Sequence, residues 1–311
     1  AQSVGAYAMT VYFGRIYELL VAFGSGENAT VRTFDGVTTP EFSPFNIQFS
    51  IDQSPNAEHS YGEVTIFGLS QKSRRAIYER GSAVTLSAGW RGEFGRIFDG
   101  QIKNVAIGRQ GADQFVRLFG VTAQDTFNSS STFKSWGART QMREIIRDVA
   151  ETFGYPVEFA GDFEGLGRTL KGRTIARDSK SALRSLARSY GFTWALLNNR
   201  LYIIRDRERR DSPPIRYTPT TGMIGTPEIT ELGVDIDVLL NPFIRPWDTF
   251  TVESETGSLR YNAIYYQERE FPATQGESEN EVVALTHEGD FYGDTWQTSL
   301  TGQRPGASRN G

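Results

Sequence analysis

The spacing of apolar residues changes period twice along this chain, and that change limits the folds open to it. Over residues 45–52 (FNIQFSID), Phe45, Ile47, Phe49 and Ile51 alternate with polar residues, the two-residue period of a half-buried strand. Residues 63–69, 83–90, 96–102 and 114–123 read as further short strands between Gly-rich turns, interrupted by one helix that Ser70 caps and Gly81 closes. From residue 137 the period becomes helical. Met142, Ile145, Ile146, Val149 and Phe153 recur between a Thr140 cap and a Gly154 stop, and a second helix runs from Asp178 to Gly191. A short strand, YPVEF (155–159), lies between them, and residues 192–205 read as a hairpin turning at Asn198–Asn199, a pair that tolerates positive φ. After a charged, Pro-stopped linker (205–214), the two-residue period returns in GVDIDVLL (233–240), DTFTVES (248–254), YNAIYYQE (261–268), EVVALTHE (281–288) and TWQTSL (295–300).

This pattern predicts a mainly β protein with an α/β insert. Residues 10–136 and 207–300 form two β domains of barrel or sandwich type, flanking a small α+β domain at 137–206. Residues 1–9 are an N-terminal extension in which Met9 is a candidate native start, and 301–311 a flexible tail. Charge divides the same way. Residues 1–136 carry 12 basic and 12 acidic side chains, residues 137–210 carry 15 and 9, and residues 211–311 carry 6 and 16. Three electrostatic characters imply three sets of neighbours. No apolar run approaches the ~18 residues of a membrane span, and AQSVGAYAMT lacks the basic start and apolar core of a signal peptide. The chain has no cysteine, which removes disulfides, thiol nucleophiles and zinc ribbons and fits cytosolic synthesis.

No catalytic constellation emerges. Gly167–Thr174 (GRTLKGRT) nearly spells a phosphate-binding loop, but Arg173 stands where a lysine must reach the phosphates, and a glycine-bearing strand edge is the better reading. GSGEN at Gly24 is weaker still. Of two histidines, His59 lies in a polar loop. His287 has Glu288 and Asp290 beside it, yet neighbours on a strand point to opposite faces, so HEGDFYGDTWQTSL (287–300) reads as strand, turn, strand. Arg139, Arg143, Arg147, Arg184 and Arg188 read as the solvated faces of helices, with nucleic-acid binding as the sharper alternative. Asp235 and Asp237, and Glu253 and Glu255, are carboxylates at alternate strand positions that share a face and read as solvated edges. No cofactor or metal is expected.

Three stretches together resemble the phage baseplate hub family. Residues 45–102 hold the Pro55–Asn56 loop, the strand ending in Leu69–Ser70, a short helix, the Leu86–Trp90 strand and Ile97–Ile102. SALRSLARSYGFTWALLNNRLYII (181–204) is similar to the small α/β domain that these hubs insert between barrels. Residues 221–252 with 287–300 look like their second barrel. One departure is Trp247, where such hubs often carry glycine. The resemblance implies two tail-tube-like β-barrels per chain and a homotrimer that joins the sixfold tube, through the tail tube protein or a distal tube ring, to a central spike protein. The tape measure protein and other baseplate proteins are further implied neighbours. It also implies a virion location in the tail baseplate after synthesis in the host cytoplasm, no stable membrane binding, no enzymatic activity, and DNA as a partner only in transit. Asp235, Asp237, Glu253 and Glu255 are then candidates to face the channel, where a repelling wall favours genome passage. The rival readings are a tail-associated cell-wall hydrolase, for which Glu164 and Glu288 are the carboxylates to test, and a glycan-binding tail-tip module. A hydrolase needs an acid in an apolar cleft.

Overall fold

The computed structural model describes residues 14–24, 30–37, 44–54, 59–122, 129–206, 208, 210, 212–230, 233–253, 258–259 and 279–304. The predicted strand at 261–268, the GSGEN loop beyond Gly24, Pro55–Asn56 and Glu255 lie outside the described residues.

The N-terminal β segment contains β1 (Arg15–Phe23), β2 (Thr30–Asp35), β3 (Ile47–Gln53), β4 (Tyr61–Phe67), α1 (Gln71–Arg80), β5 (Gly81–Trp90), β6 (Glu93–Gln110) and β7 (Asp113–Val121). Ser70 caps α1 as predicted, its hydroxyl accepting the Ser73 N–H at 3.3 Å. Gly81 is not a left-handed stop, because its φ of −62° leads the chain straight into β5. The strand predicted at 96–102 is far longer. Its first half pairs with β5 and its second half with β7, with a register shift between Ile102 and Asn104. The sheet curls over its own core. Tyr17 of β1 donates its hydroxyl to the Phe45 carbonyl just before β3 at 2.6 Å, although four strands separate β1 from β3 in the sheet.

The middle segment contains β8 (Ser131–Trp136), α2 (Met142–Glu151), β9 (Val157–Ala160), β10 (Arg173–Asp178), α3 (Ser179–Tyr190), β11 (Phe192–Leu197) and β12 (Arg200–Arg205). Both helices bury their predicted apolar stripe: Ile145, Ile146 and Val149 on α2, Leu183 and Leu186 on α3. Asp178 caps α3 through the Ser181 N–H at 2.7 Å, and Gly191 ends it at φ 63°. Asn198 and Asn199 both take positive φ in the β11–β12 turn. Three local expectations need correction. Thr140 does not cap α2: its hydroxyl donates to the Gly137 carbonyl, and Gln141 is the cap residue. Arg139 lies off the helix, in a turn at φ 67°. The α/β unit also starts before residue 137, because β8 pairs with β10 and Trp136 sits in the unit's core.

The C-terminal segment contains β13 (Ile215–Tyr217), β14 (Met223–Ile229), β15 (Gly233–Leu239), β16 (Thr249–Val252), β17 (Ser258–Leu259), β18 (Glu279–Asp290) and β19 (Trp296–Gln303). Residues 301–303 therefore belong to a strand and not to the tail expected from residue 301. The two outer segments do not form separate sheets, which corrects the reading of two independent β domains. Fourteen strands make one hydrogen-bonded sheet along the path β17-β14-β15-β19-β18-β3-β4-β7-β6-β5-β1-β2, with β16 and β13 branching from β18. The cause is a mismatch of lengths. Glu279–Glu281 of β18 pair with the four-residue β16, which leaves Leu285–Asp290 to pair with β3 and cover an edge that would otherwise stay open. Two lobes persist on this sheet as separate cores, one around Leu19, Ile66 and Phe98, the other around Ile236, Phe250 and Leu285.

The α/β unit docks on the second lobe through Trp247. This residue is fully buried against Ala195, Leu197, Tyr202 and Ile204 on the back of the β11–β12 hairpin. Its φ is 68°, in the left-handed region where glycine alone is at ease. The contact is latched by charge: Arg210 of the linker pairs with the buried Asp248, and Arg245 donates to the Tyr202 hydroxyl.

Candidate assembly interface

The residues singled out for chemistry resolve into structural roles. His287 lies on β18 and is 1% exposed, with Nδ1 2.9 Å from the Thr298 hydroxyl. Glu288 and Asp290 point to the other face, as the strand period requires. Burial lowers the His287 pKa from 6.5 to about 3. The folded chain therefore resists a proton that the unfolded chain takes up at pH 6.5. The stability this gives is complete above pH 6.5 and is lost as pH falls toward 3, at up to ~1.4 kcal/mol per pH unit. Urea midpoints at pH 7 and pH 5 should thus fall more steeply for the wild-type chain than for His287→Gln. Equal slopes would place the acid sensitivity elsewhere.

His59 is not simply solvated, since its Nδ1 lies 3.0 Å from the Thr122 carbonyl oxygen. Glu164 pairs with Arg143 at 2.6 Å on an open surface, with its side chain 56% exposed, and so does not sit in an apolar cleft. Gly167–Thr174 leads into the strand β10, whereas a phosphate loop leads into a helix; Arg173 bonds the Tyr190 hydroxyl at 3.0 Å. Among the described residues no three His, Asp or Glu side chains converge as metal ligands, and no helix is long and apolar enough to cross a membrane.

The acidic candidates belong to something larger than a strand edge. Asp235 and Asp237 share the outer face of β15, opposite the buried Val234, Ile236 and Val238. Registers carry that face across both lobes: Asp237 stands opposite Ser299, Ser299 opposite Thr286, Thr286 opposite Asp52, and Asp52 opposite Tyr61. A second row runs through Gln297, Glu288, Ser50 and Glu63. Three of these carboxylates accept hydrogen bonds from neutral side chains. Ser299 bonds Asp237 at 2.6 Å, Thr286 bonds Asp52 at 2.8 Å, and Gln48 bonds Asp290 at 2.8 Å. Glu63, by contrast, pairs with Arg117 at 3.0 Å. Glu228 stands directly opposite Asp235, a like-charge pairing that a sheet tolerates at a cost. Glu253 follows β16 directly, on the side opposite the core residues Phe250 and Val252, and its charge is paired with Arg216. The sequence reading did not join Asp52, Glu63, Glu288 and Asp290 to this face, because they become neighbours only through the β3–β18 and β3–β4 pairings. The available signal was alternation of carboxylates and hydroxyls on these strands.

Strand edges define where a neighbour can add. The strands of residues 45–52 and 114–123 offer no open edge, because β3 lies between β18 and β4, and β7 between β4 and β6. Among the described residues the open edges of the large sheet include the outer side of β2, where Val31 is 61% exposed, and that of β6 beyond Gln101.

The fold has known relatives. The chain matches the family model described as baseplate hub gp41 over residues 33–258, well over half its length. No curated protein sequence matches it significantly. Among solved structures, the 43 kDa tail protein of prophage MuSo2 from Shewanella oneidensis aligns with a TM-score of 0.54 at 10% identity, over 92% of this chain and 98% of that one. The tail protein of Neisseria meningitidis MC58 gives 0.55 at 10% identity, over 94% and 98%. The c3393 protein of E. coli, a type VI secretion system component with structural similarity to T4 tail proteins gp27 and gp5, gives 0.50 at 6% identity, over 84% and 74%. At such identities the structures share a fold, and the family match carries the assignment. The chain belongs to the baseplate hub gp41 family of phage tail structural proteins.

Proposed function

We propose that this hub works by assembly, as a cyclic trimer that joins the sixfold tail tube to a threefold central spike and surrounds the path of the DNA. The observation that carries the reading is the single sheet with two cores. Each chain offers two β lobes at a fixed spacing, so three chains supply the six positions that a sixfold tube requires. A head-to-tail interface repeated three times closes such a ring, and the open edges of β2 and of the distal half of β6 are suited to it because closure protects them. The likeness of the fold to that of c3393, itself similar to gp27 and gp5, supports a neighbour of the spike kind.

The acidic face is the surface suited to line the channel. Asp235 and Asp237 lie on it with Asp52, Glu288 and Asp290, and a wall of carboxylates and hydroxyls offers phosphates no counterion-releasing grip. Arg216 neutralises Glu253, which makes that residue a poorer lining candidate. A map of the intact tail tip tests the proposal. Three copies around the axis with the β15–β19–β18–β3 face turned inward is the expected result. Six copies would make the chain a tube or distal-ring protein, and an outward acidic face would remove the channel role.

A further inference from the structure

We propose that a groove at one end of the large sheet, beside the β6–β7 turn, is a binding site for a neutral saccharide. The groove encloses about 500 Å3, within the ~300–1,000 Å3 of small-molecule sites. Three strand ends form it: the start of β3, the end of β4 with Gly68, and the two residues that flank the β6–β7 turn, Gln110 and Asp113. Backbone bonds tie these ends together. The Phe67 N–H donates to the Asn46 carbonyl at 3.0 Å, and the Gly68 N–H to the Gln114 carbonyl at 3.1 Å. The groove is therefore held in one geometry before any ligand arrives, which lowers the entropic cost of binding. Gly68, at φ 75°, contributes backbone alone, and the Phe45 ring lies 3.9 Å from where its β-carbon would stand.

The lining joins two kinds of group. Its polar part is three side-chain amides, Asn46, Gln48 and Gln110, with the Asp113 carboxylate. Gln48 donates through Nε2 to Asp290 at 2.8 Å, which fixes the direction of its amide. Asn46 Oδ1 is buried and has no hydrogen-bond partner among the described residues, a deficit that a donor from a ligand removes. The apolar part is two half-buried rings, each braced by another: Phe45 stands edge-on to Phe34 at 5.8 Å, and Phe67 leans on Phe115 at 6.0 Å. No cation lines the groove among the described residues. A nucleic-acid strand would stack on the rings but needs positive charge along its phosphates, and one carboxylate is too few for a calcium site. A saccharide meets every feature. Its hydroxyls donate and accept, as amides do, its C–H face packs on an aromatic ring, and it brings no charge for Asp113 to repel.

The binding does not depend on the assembly reading and can be read on the full chain in solution. Saturation-transfer NMR against four probes, trisaccharides of glucose, galactose, mannose and N-acetylglucosamine, finds the sugar that binds, and calorimetry then measures its affinity. The expected result is transfer to at least one probe, with binding about tenfold or more weaker in Gln110→Ala/Asp113→Ala, since each lost hydrogen bond is worth roughly three- to tenfold. Both residues are exposed, so the double variant should keep the fold, and a thermal melt checks this. Gln114→Ala is the control: Gln114 is exposed too, but it follows Asp113 on β7 and faces the other side of the sheet, so this variant should bind as the wild type does. No transfer to any of the four probes by the folded wild-type chain overturns the proposal. So does undiminished binding in the double variant, or an equal loss in Gln114→Ala. Heparin that binds as tightly as the neutral probe would refute the charge argument, and an oligolysine peptide that displaces the sugar at lower concentration would reassign the groove to a cationic peptide.

Discussion

Trp247→Ala is expected to destabilise the chain by about 3–5 kcal/mol, the range for removing a fully buried large aromatic side chain, and to loosen the α/β unit from the second lobe. Among the described residues, Trp247 is the lobe's contribution to a cluster built from the β11–β12 hairpin with Ala160 of β9 packed against it, so its removal empties the joint itself. Two features oppose the packing gain. The residue sits at φ 68°, which costs an L-residue ~1–2 kcal/mol. Its indole N–H is also buried without an acceptor among the described residues, a loss of ~1–3 kcal/mol. These terms set an order among variants. Trp247→Phe keeps most of the packing and removes the orphan donor, so it should be the mildest. Trp247→Gly loses the ring but relieves the backbone and should melt above Trp247→Ala. Thermal melts rank the three, and trypsin susceptibility at Arg210, the linker residue latched to Asp248, reports the joint. An alanine variant within ~1 kcal/mol of wild type would mean that the joint rests on the charge latch. An alanine variant as stable as the glycine one would remove the strain argument.

Phe98→Ala is the second large effect, also about 3–5 kcal/mol. The Phe98 ring, 1% exposed, lies over three glycines on three neighbouring strands: Gly62 of β4, Gly100 of β6 and Gly120 of β7. A β-carbon at these positions would meet the ring at 2.8, 2.6 and 2.7 Å, well inside van der Waals contact. The ring thus fills space that side chains on the sheet would normally occupy, and neither partner can change alone. Gly120→Ala should cost about 1–3 kcal/mol by overpacking. In the Phe98→Ala background the same change should cost almost nothing, because the added methyl enters the vacated space. Denaturant melts of the two single variants and the double variant measure this coupling. Additive costs would show that the ring and the glycines do not share the space.

The sequence revealed local structure well wherever a residue's role is set within a few positions of itself. The Asp178 cap, the Gly191 stop, the Asn198–Asn199 turn and the alternation of β3 and β15 all depend on the backbone or on the nearest face of a sheet. What stayed hidden depends on long-range pairing. FNIQFSID reads equally well as an edge or an interior strand, because alternation reports which face is buried and says nothing of the two edges. The same limit hid the joining of the lobes, and with it the acidic face, since Asp52 and Thr286 are 234 residues apart and meet only through β3 and β18. β8 was missed because Ser131–Trp136 lies in a two-stranded sheet with an open face, where Phe133 stays 78% exposed and no apolar pattern is demanded.

The β3–β18 seam also has a meaning in time. While the chain is being made, β3 leaves the ribosome early, and β4 can cover one of its edges almost at once. The strand that covers the other edge follows roughly 230 residues later, which at a synthesis rate of ~5–20 residues per second is a wait on the order of 10–50 s. Over that interval the first lobe can collapse around its own core but presents a ready-made pairing template to every other nascent chain nearby. Completion is therefore left to the final hairpin, and a truncated chain differs from the whole in kind as well as in length: it keeps a lobe and exposes a seam.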